Sequence, residues 1–138
     1  MAKTLIDAGP LVAYYSVRDD WHSEVSSFLE GFRGQFITTV ACITEAMALL
    51  DANPLVQNQL ITDLARGLYE VEHLLRQDFA RIAELNIRYR NDPADFADLS
   101  LIVVSERLSI SDIFTLDSDF SIYRRLGNRT FKQVFRGL

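Results

Sequence analysis

The chain predicts an α/β fold: three α/β/α layers around a mainly parallel central sheet of four or five strands. Three observations carry this. Short apolar runs rich in Ile, Phe, Val and Thr alternate with longer segments of helical periodicity. That alternation of strand and helix is the pattern of a parallel sheet covered on both faces. Finally, acids stand where strands end, at Asp7 and Asp117, and in such sheets ligands bind beyond the carboxyl ends of the strands.

Lys3 to Ile6 reads as the first strand and ends in Asp7. Gly9 and Pro10 turn the chain into a short helix that offers Leu11, Val12 and Tyr14 for packing. Asp20 to Phe32 is a second helix with Val25, Phe28, Leu29 and Phe32 as its apolar stripe, Trp21 and His22 in its first turn and Gly34 beyond its end. His22 has no second His or Cys at ligand spacing, so a structural zinc site is excluded. Gln35 to Thr39 is the second strand. Thr39 caps a helix over Val40 to Leu50, with Ile43, Met47 and Leu50 expected on its buried face and Glu45 among apolar neighbours. Asn53 caps the next helix, which runs from Pro54 to about Arg66 and breaks at Gly67.

Leu68 to Leu74 alternates like a strand near a sheet edge, with His73 read as structural. Gln77 to Arg90 is an amphipathic helix along Phe79, Ile82, Leu85 or Asn86, and Tyr89. A helix expected to be capped by Asp92, with Pro93 in its first turn and Asp95 three residues on, presents Asp95 and Asp98 on one face and Leu99, Ile102, Val103 and Leu108 to the core. Ile113 to Leu116 is a buried strand, Asp117 caps a short helix over Ser118 to Arg124, and Arg129 to Phe135 is a last strand.

The 138 residues are enough for one domain, residues 1–138, with a real core, and 49% apolar residues argue against disorder. No apolar run approaches the roughly 20 residues that span a bilayer. The opening MAKTLIDAG is broken by Asp7 too early for a signal peptide. The single cysteine, Cys42, is read as a small buried hydrophobe; it rules out an internal disulfide and fits a reducing, cytoplasmic setting. The formal net charge of -5 is not that of a protein held to nucleic acid by global charge alone. Yet the stretch from Ser121 onward carries Arg124, Arg125, Arg129, Lys132 and Arg136 and no acid. It is either a solvated surface, a docking site for an acidic protein, or a nucleic-acid contact.

Asp7, Glu45, Asp98 and Asp117 form the set that carries chemistry. If the inferred parallel sheet brings them together, each close pair repels by on the order of 4 kcal/mol at intermediate dielectric. No Lys or Arg is placed by sequence to neutralise them. A hard divalent cation such as Mg²⁺ or Mn²⁺ is the natural compensation, and it is also a catalyst for phosphodiester hydrolysis.

At these residues the sequence resembles the PIN-domain family, and within it the VapC-like toxins of toxin–antitoxin pairs. LIDAGPLVAYY, from Leu5 to Tyr15, is similar to the family's first motif, with Asp7 its leading acid. TTVACITEAMALL, from Thr38 to Leu50, is similar to the second, with Glu45. DFADLSLIVVSERLSISDIFTLDSDF, from Asp95 to Phe120, resembles the third and fourth, with Asp98 and Asp117; Asp95 and Asp119 match further acids, and Thr115-x-Asp117 matches the family's Ser/Thr-x-Asp step. Trp21-His22 and the stretch from Phe120 to Arg124 also fall where the family has similar residues. One departure stands out: only Ser118 separates Asp117 from Asp119, where the family often has two residues, frequently basic.

The resemblance implies a PIN-like fold and a Mg²⁺- or Mn²⁺-dependent endoribonuclease. Asp7, Glu45, Asp98 and Asp117 would be its catalytic, metal-holding acids, with Asp95 and Asp119 helping. It further implies a homodimer and a small antitoxin that blocks the active-site groove. Arg124 and Arg125 would contact RNA phosphate or that partner. The competing expectation is a PIN-like module that has lost activity and serves as a scaffold. A haloacid-dehalogenase-like phosphatase would want an Asp where Gly9 stands. A receiver-like domain fits the pattern badly. A dinucleotide site fails because no G-x-G-x-x-G follows the first strand.

Overall fold

The computed structural model describes residues 2–92 and 94–135. Its expected elements are present in order. They are β1 (Lys3–Ile6), α1 (Ala8–Tyr15), α2 (His22–Gly31), β2 (Gln35–Thr38), α3 (Val40–Leu49), α4 (Pro54–Ala65), β3 (Tyr69–Val71), α5 (Arg76–Arg88), α6 (Phe96–Leu108), β4 (Asp112–Phe114) and β5 (Lys132–Gln133). Short 3₁₀ turns cover Ser118–Ser121 and Leu126–Asn128.

The strands form one five-stranded sheet in the order β3-β2-β1-β4-β5, and every pairing is parallel. Side chains alternate across it, as a period of two requires. Leu5, Ile37 and Ile113 pack on the face covered by α5 and α6. Ile6, Phe36 and Phe114 pack on the other, with Leu11 of α1, Val25 and Leu29 of α2 and Leu60 of α4. Aromatic rings fill this second face: Phe28 lies 4.6 Å from Phe114, and Phe32 stacks 4.3 Å from Phe36. The result is a three-layer α/β/α architecture. No helix among the described residues is long and apolar enough to cross a membrane.

Four expectations are corrected. The acidic helix starts later: Asp95, not Asp92, is the cap, and the first helical residue is Phe96. Asp95 accepts from the Asp98 amide while Asp98 accepts from the Asp95 amide, at 2.8 and 3.2 Å, so the reciprocal box is satisfied one turn further on. Pro93 and Arg136 lie outside the described residues. The edge strands are shorter than the seven-residue runs their alternation implied: β3 spans Tyr69–Val71 and β5 spans Lys132–Gln133. Each has a neighbour on one side only, and Arg129 instead closes a small bridge to Arg125. The short helix expected to run to Arg124 stops at Ser121. Finally, α3 buries Cys42 and Ala46 completely, while Ile43 and Met47 are only half-buried. Small residues let this helix sit close to α1 and α6; burial pushes the Cys42 thiol up to about 12, which leaves it unreactive.

Helix α6 departs from a one-faced stripe. Every residue from Ala97 to Ser105 is buried, as befits a helix enclosed by its neighbours. Its buried hydroxyls are satisfied locally: Ser100 and Ser105 donate to the carbonyls of Ala97 and Ile102, both at 2.6 Å. Its last turn is tied down by Arg107, which meets Glu72 at 2.7 Å and Asp78 at 3.1 Å. Gly34 marks a required close approach: its φ is +154°, and a Cβ there would stand 2.6 Å from the Ala2 carbonyl oxygen.

Candidate active site

The sheet order reverses between β1 and β4. From β1 the chain builds outward through β2 and β3; it then returns to the other side of β1 with β4 and β5. Such a switch point opens a crevice at the carboxyl ends of the two strands. Asp7 directly follows β1 and Asp117 lies three residues after β4. The backbone amide of Asp7 donates to the Phe114 carbonyl at 3.1 Å, which extends the β1–β4 ladder up to the acid itself.

A pocket of about 390 Å³ lies here, and Asp7, Glu45, Asp95, Asp98 and Asp117 all line it. The five acids come from four different segments: the β1–α1 junction, α3, the start of α6 and the β4 loop. No Lys or Arg lines it.

Each acid is aimed by its local structure. Asp7 caps α1: its Oδ1 accepts from the Ala8 amide at 2.8 Å, and its Oδ2 accepts from the Thr115 hydroxyl at 3.0 Å. The same Thr115 oxygen accepts from the Asp117 amide at 2.9 Å. One hydroxyl therefore links the first and fourth acids. Asp117 in turn caps the following 3₁₀ turn by accepting from the Asp119 amide at 2.9 Å. Asp98 sits in the capping box of α6, and Tyr123 donates to its Oδ2 at 3.4 Å. Glu45 projects from α3 and is half-buried. Asp119 is exposed and does not line the pocket.

The electrostatics follow from burial and like charge. Asp7 is 6% exposed and Asp98 8%. Burial first, and then the charges of Asp117 and Asp95, raise the Asp7 carboxyl to about 6 against the lowering effect of its two hydrogen bonds. Burial, then Asp95 and Asp7, raises Asp98 to about 8. Glu45 is also raised, by burial first and then by Asp95, Asp7 and Asp117. This is a field of oxygen donors that holds protons above the usual carboxylate range.

Among the described residues, no group of three or more His, Cys, Asp or Glu side chains is arranged to hold a metal ion as it stands. Asp7, Asp98 and Asp117 each give at least one oxygen to a backbone amide. Asp98 Oδ1 and Asp117 Oδ2 take no bond from any described residue, so they remain open to a ligand. The all-oxygen donor set suits a hard cation such as Mg²⁺ or Mn²⁺.

Beside the acids runs an apolar groove of about 700 Å³, with Val40, Ala48, Leu74, Phe79 and Phe96 along it; it shares Glu45 and Asp95 with the acid pocket. Phe79 and Phe96 stack at 6.3 Å and are both about half exposed. The other sequence candidates fall elsewhere. His22 is satisfied by the Ala13 carbonyl, 2.8 Å from its Nδ1. Arg124 and Arg125 line a separate pocket. Two contributors were missed in the sequence. Ser100 meets the α3 cap Thr39 at 2.7 Å and so locks α6 to α3. Tyr123 is buried against Asp98. Nothing about a lone Ser within an apolar helix, or a Tyr six residues past Asp117, marks either one.

No family model matches the sequence, and no curated protein matches it. Among solved structures the chain is similar to VapC20 of Mycobacterium tuberculosis, a sarcin–ricin loop cleaving toxin. The TM-score is 0.75 at 17% identity, over 86% of this chain and 93% of that one. A likeness at that identity speaks for architecture, and it agrees with the layers, strand order and switch-point crevice described above: the fold is PIN-like.

Proposed function

We propose that the protein is a Mg²⁺- or Mn²⁺-dependent endoribonuclease of the PIN-domain family, and the toxin of a VapBC-type pair. The observation that carries this reading is the single pocket at the β1–β4 switch point, lined by Asp7, Glu45, Asp95, Asp98 and Asp117 with no cation among them. The likeness to a sarcin–ricin loop cleaving toxin supports it at the level of the fold.

In this reading Asp7, Glu45, Asp98 and Asp117 would hold one or two ions, assisted by Asp95, which also lines the pocket, and by the exposed Asp119 outside it. An ion held by these acids would supply Lewis-acid chemistry, polarising a phosphodiester and lowering the pKa of an attacking water. The chain's own residues do the rest. Thr115 keeps the Asp7 and Asp117 carboxylates in register through its two hydrogen bonds. Tyr123 and the Asp95 amide hold Asp98 Oδ2, leaving Oδ1 to face a ligand. The raised carboxyls of Asp7 and Asp98 would have to release their protons for an ion to bind.

The apolar groove supports the antitoxin half of the proposal. A groove with exposed Phe79 and Phe96 that opens onto Glu45 and Asp95 suits an amphipathic segment laid across the acids. Exposed Val17 and Leu55 offer apolar surface for a homodimer. A second reading, a PIN-like module without catalysis, draws on the absence of a ready-made ion cage among the described residues.

RNA cleavage by the purified protein, with and without Mn²⁺, decides between the two when run beside Asp7→Asn. The substitution keeps the fold, because an Asn can still accept from Ala8 and donate toward Thr115. Metal-dependent cutting lost in the variant is the expected result. Equal cutting by both would sink the site assignment. Absence of cutting together with absence of Mn²⁺ uptake by calorimetry would favour the inactive module.

A further inference from the structure

Beyond α5, away from the acids, lies a pocket of about 410 Å³ lined by Arg81, Arg88, Tyr89, Arg124, Arg125 and Asn128, among others, with no acid in its lining. Arg81 is already neutralised, by Glu84 and Glu106 at 3.0 Å each. Arg88, Arg124 and Arg125 form no ion pair with any described residue. Arg125 is the unusual one. It is only 9% exposed, and its Nε is buried without a hydrogen-bond partner. That Nε is closed off from solvent, so it adds to the cost of holding the Arg125 cation, and an anion in the pocket the residue lines would offset that charge.

The pocket is also built to stay in shape. Arg125 and Arg129 exchange backbone bonds at 2.8 and 3.2 Å. The turn between them is closed by Gly127 and Asn128, both at positive φ (74° and 61°). The Arg125 guanidinium lies over the Phe131 ring, 6.0 Å from its centroid. The Arg124 amide donates to the Tyr89 hydroxyl at 2.8 Å, which pins the loop to the end of α5. One nitrogen of Arg124 donates to the carbonyls of Ser121, Ile122 and Tyr123; its other donors have no described partner.

We propose that this pocket binds a phosphate group, and that the phosphate belongs to the backbone of an RNA strand, gripped at a distance from the bond being cut. The second half rests on the nuclease reading above. Guanidinium forks match phosphate oxygens in shape as well as charge. A chain of net charge -5 with an acidic centre repels a polyanion, so it needs a cationic foothold away from that centre. Tyr123 joins the two places: its hydroxyl reaches Asp98, and its ring packs edge-on at 5.2 Å against Tyr89.

The test uses the full chain in EDTA, so that neither cutting nor metal uptake enters. The affinity of a labelled single-stranded RNA is followed by anisotropy over a range of KCl for the parent, Arg88→Gln and Arg125→Gln. Inorganic phosphate is titrated separately while the amides of Gly127 and Asn128 are followed by NMR. Each variant is expected to weaken RNA binding by about 3- to 10-fold and to lower the slope of log affinity on log salt by about 0.7. Phosphate is expected to shift the two amides in the parent and not in Arg125→Gln. Arg88 is exposed, so its variant stays informative even if Arg125→Gln folds poorly. Unchanged RNA affinity and slope in Arg88→Gln, with phosphate still bound, would leave a free-phosphate site and overturn the RNA assignment. No response to phosphate and no change with RNA would overturn the pocket altogether. Weakened RNA binding in a protein that cuts nothing with Mn²⁺ would uphold the pocket while the nuclease reading fails.

Discussion

The acid pocket and the arginine pocket are joined through Tyr123, which bonds Asp98 and packs on Tyr89, yet they are assembled by different means. The acids are placed by the ends of regular elements. Asp7 caps α1, Asp95 and Asp98 form the box that opens α6, and Asp117 caps a 3₁₀ turn. Their positions follow from backbone amides that need acceptors. The arginines are placed by packing. Arg125 is held by a five-residue hairpin and an aromatic ring, and Arg88 meets it only because the loop folds back on α5. The first pocket concentrates one charge at some energetic cost; the second leaves a buried donor unmet. These two departures from a quiet interior are what the two proposals rest on.

The largest expected effect separates the pockets by activity. Asp98→Asn should lower Mn²⁺-dependent RNA cleavage by at least roughly 100-fold, whereas Arg88→Gln should raise the RNA concentration needed and leave the rate at saturation near that of the parent. A drop in saturated rate for Arg88→Gln as deep as that for Asp98→Asn would erase the distinction.

The next is a pH dependence confined to the acids. Asp7 and Asp98 have folded values of about 6 and about 8, against about 3.9 for an unfolded aspartate. Between those values the folded chain binds more protons than the unfolded one, so stability falls as pH rises. Their contribution is complete below about pH 4 and is lost as pH climbs through 6 and 8. Thermal unfolding in EDTA should therefore show a lower midpoint at pH 9 than at pH 5, and Asp98→Asn should flatten that slope. Mn²⁺ affinity should run the other way, strengthening with pH over the same window. A midpoint indifferent to pH in the parent would mean that these carboxyls titrate normally.

Tyr123→Phe probes the residue that joins the two pockets. It removes the 3.4 Å contact to Asp98 and no packing, so cleavage should fall by less than about 10-fold and stability by about 1 kcal/mol or less. The smallest effect lies in neither pocket. Ser109 closes α6 in the left-handed region, at φ 55°. Ser109→Gly should stabilise the protein by about 1 kcal/mol and leave both RNA binding and cleavage unchanged; a loss of either would tie that helix end to one of the pockets.

Much of the fold and the acid set was legible from short-range rules. The strand–helix alternation, the Asn53 and Thr39 caps and the acids after β1 and β4 depend on neighbours within a few residues. The misreadings arose where several local solutions compete. Asp92 and Asp95 are both good caps, and only the structure selects the later one. Leu68 to Leu74 and Arg129 to Phe135 alternate well enough for full strands, but sheet edges offer half the hydrogen bonds, and only Tyr69 to Val71 and Lys132 to Gln133 pair.

By itself, the sequence determined that this is a parallel α/β domain with carboxylates at its strand ends, because apolar periodicity and capping are local properties of the chain. Only the tertiary structure decided that β1 lies between β2 and β4, so that the order reverses at Asp7 and Asp117. The same holds for the contact of Tyr123 with Asp98, and for the gathering of Arg88, Arg124 and Arg125 in one pocket. These are meetings of residues far apart in the chain. They are set by which buried faces can be satisfied together, and no pattern within a window of sequence encodes them.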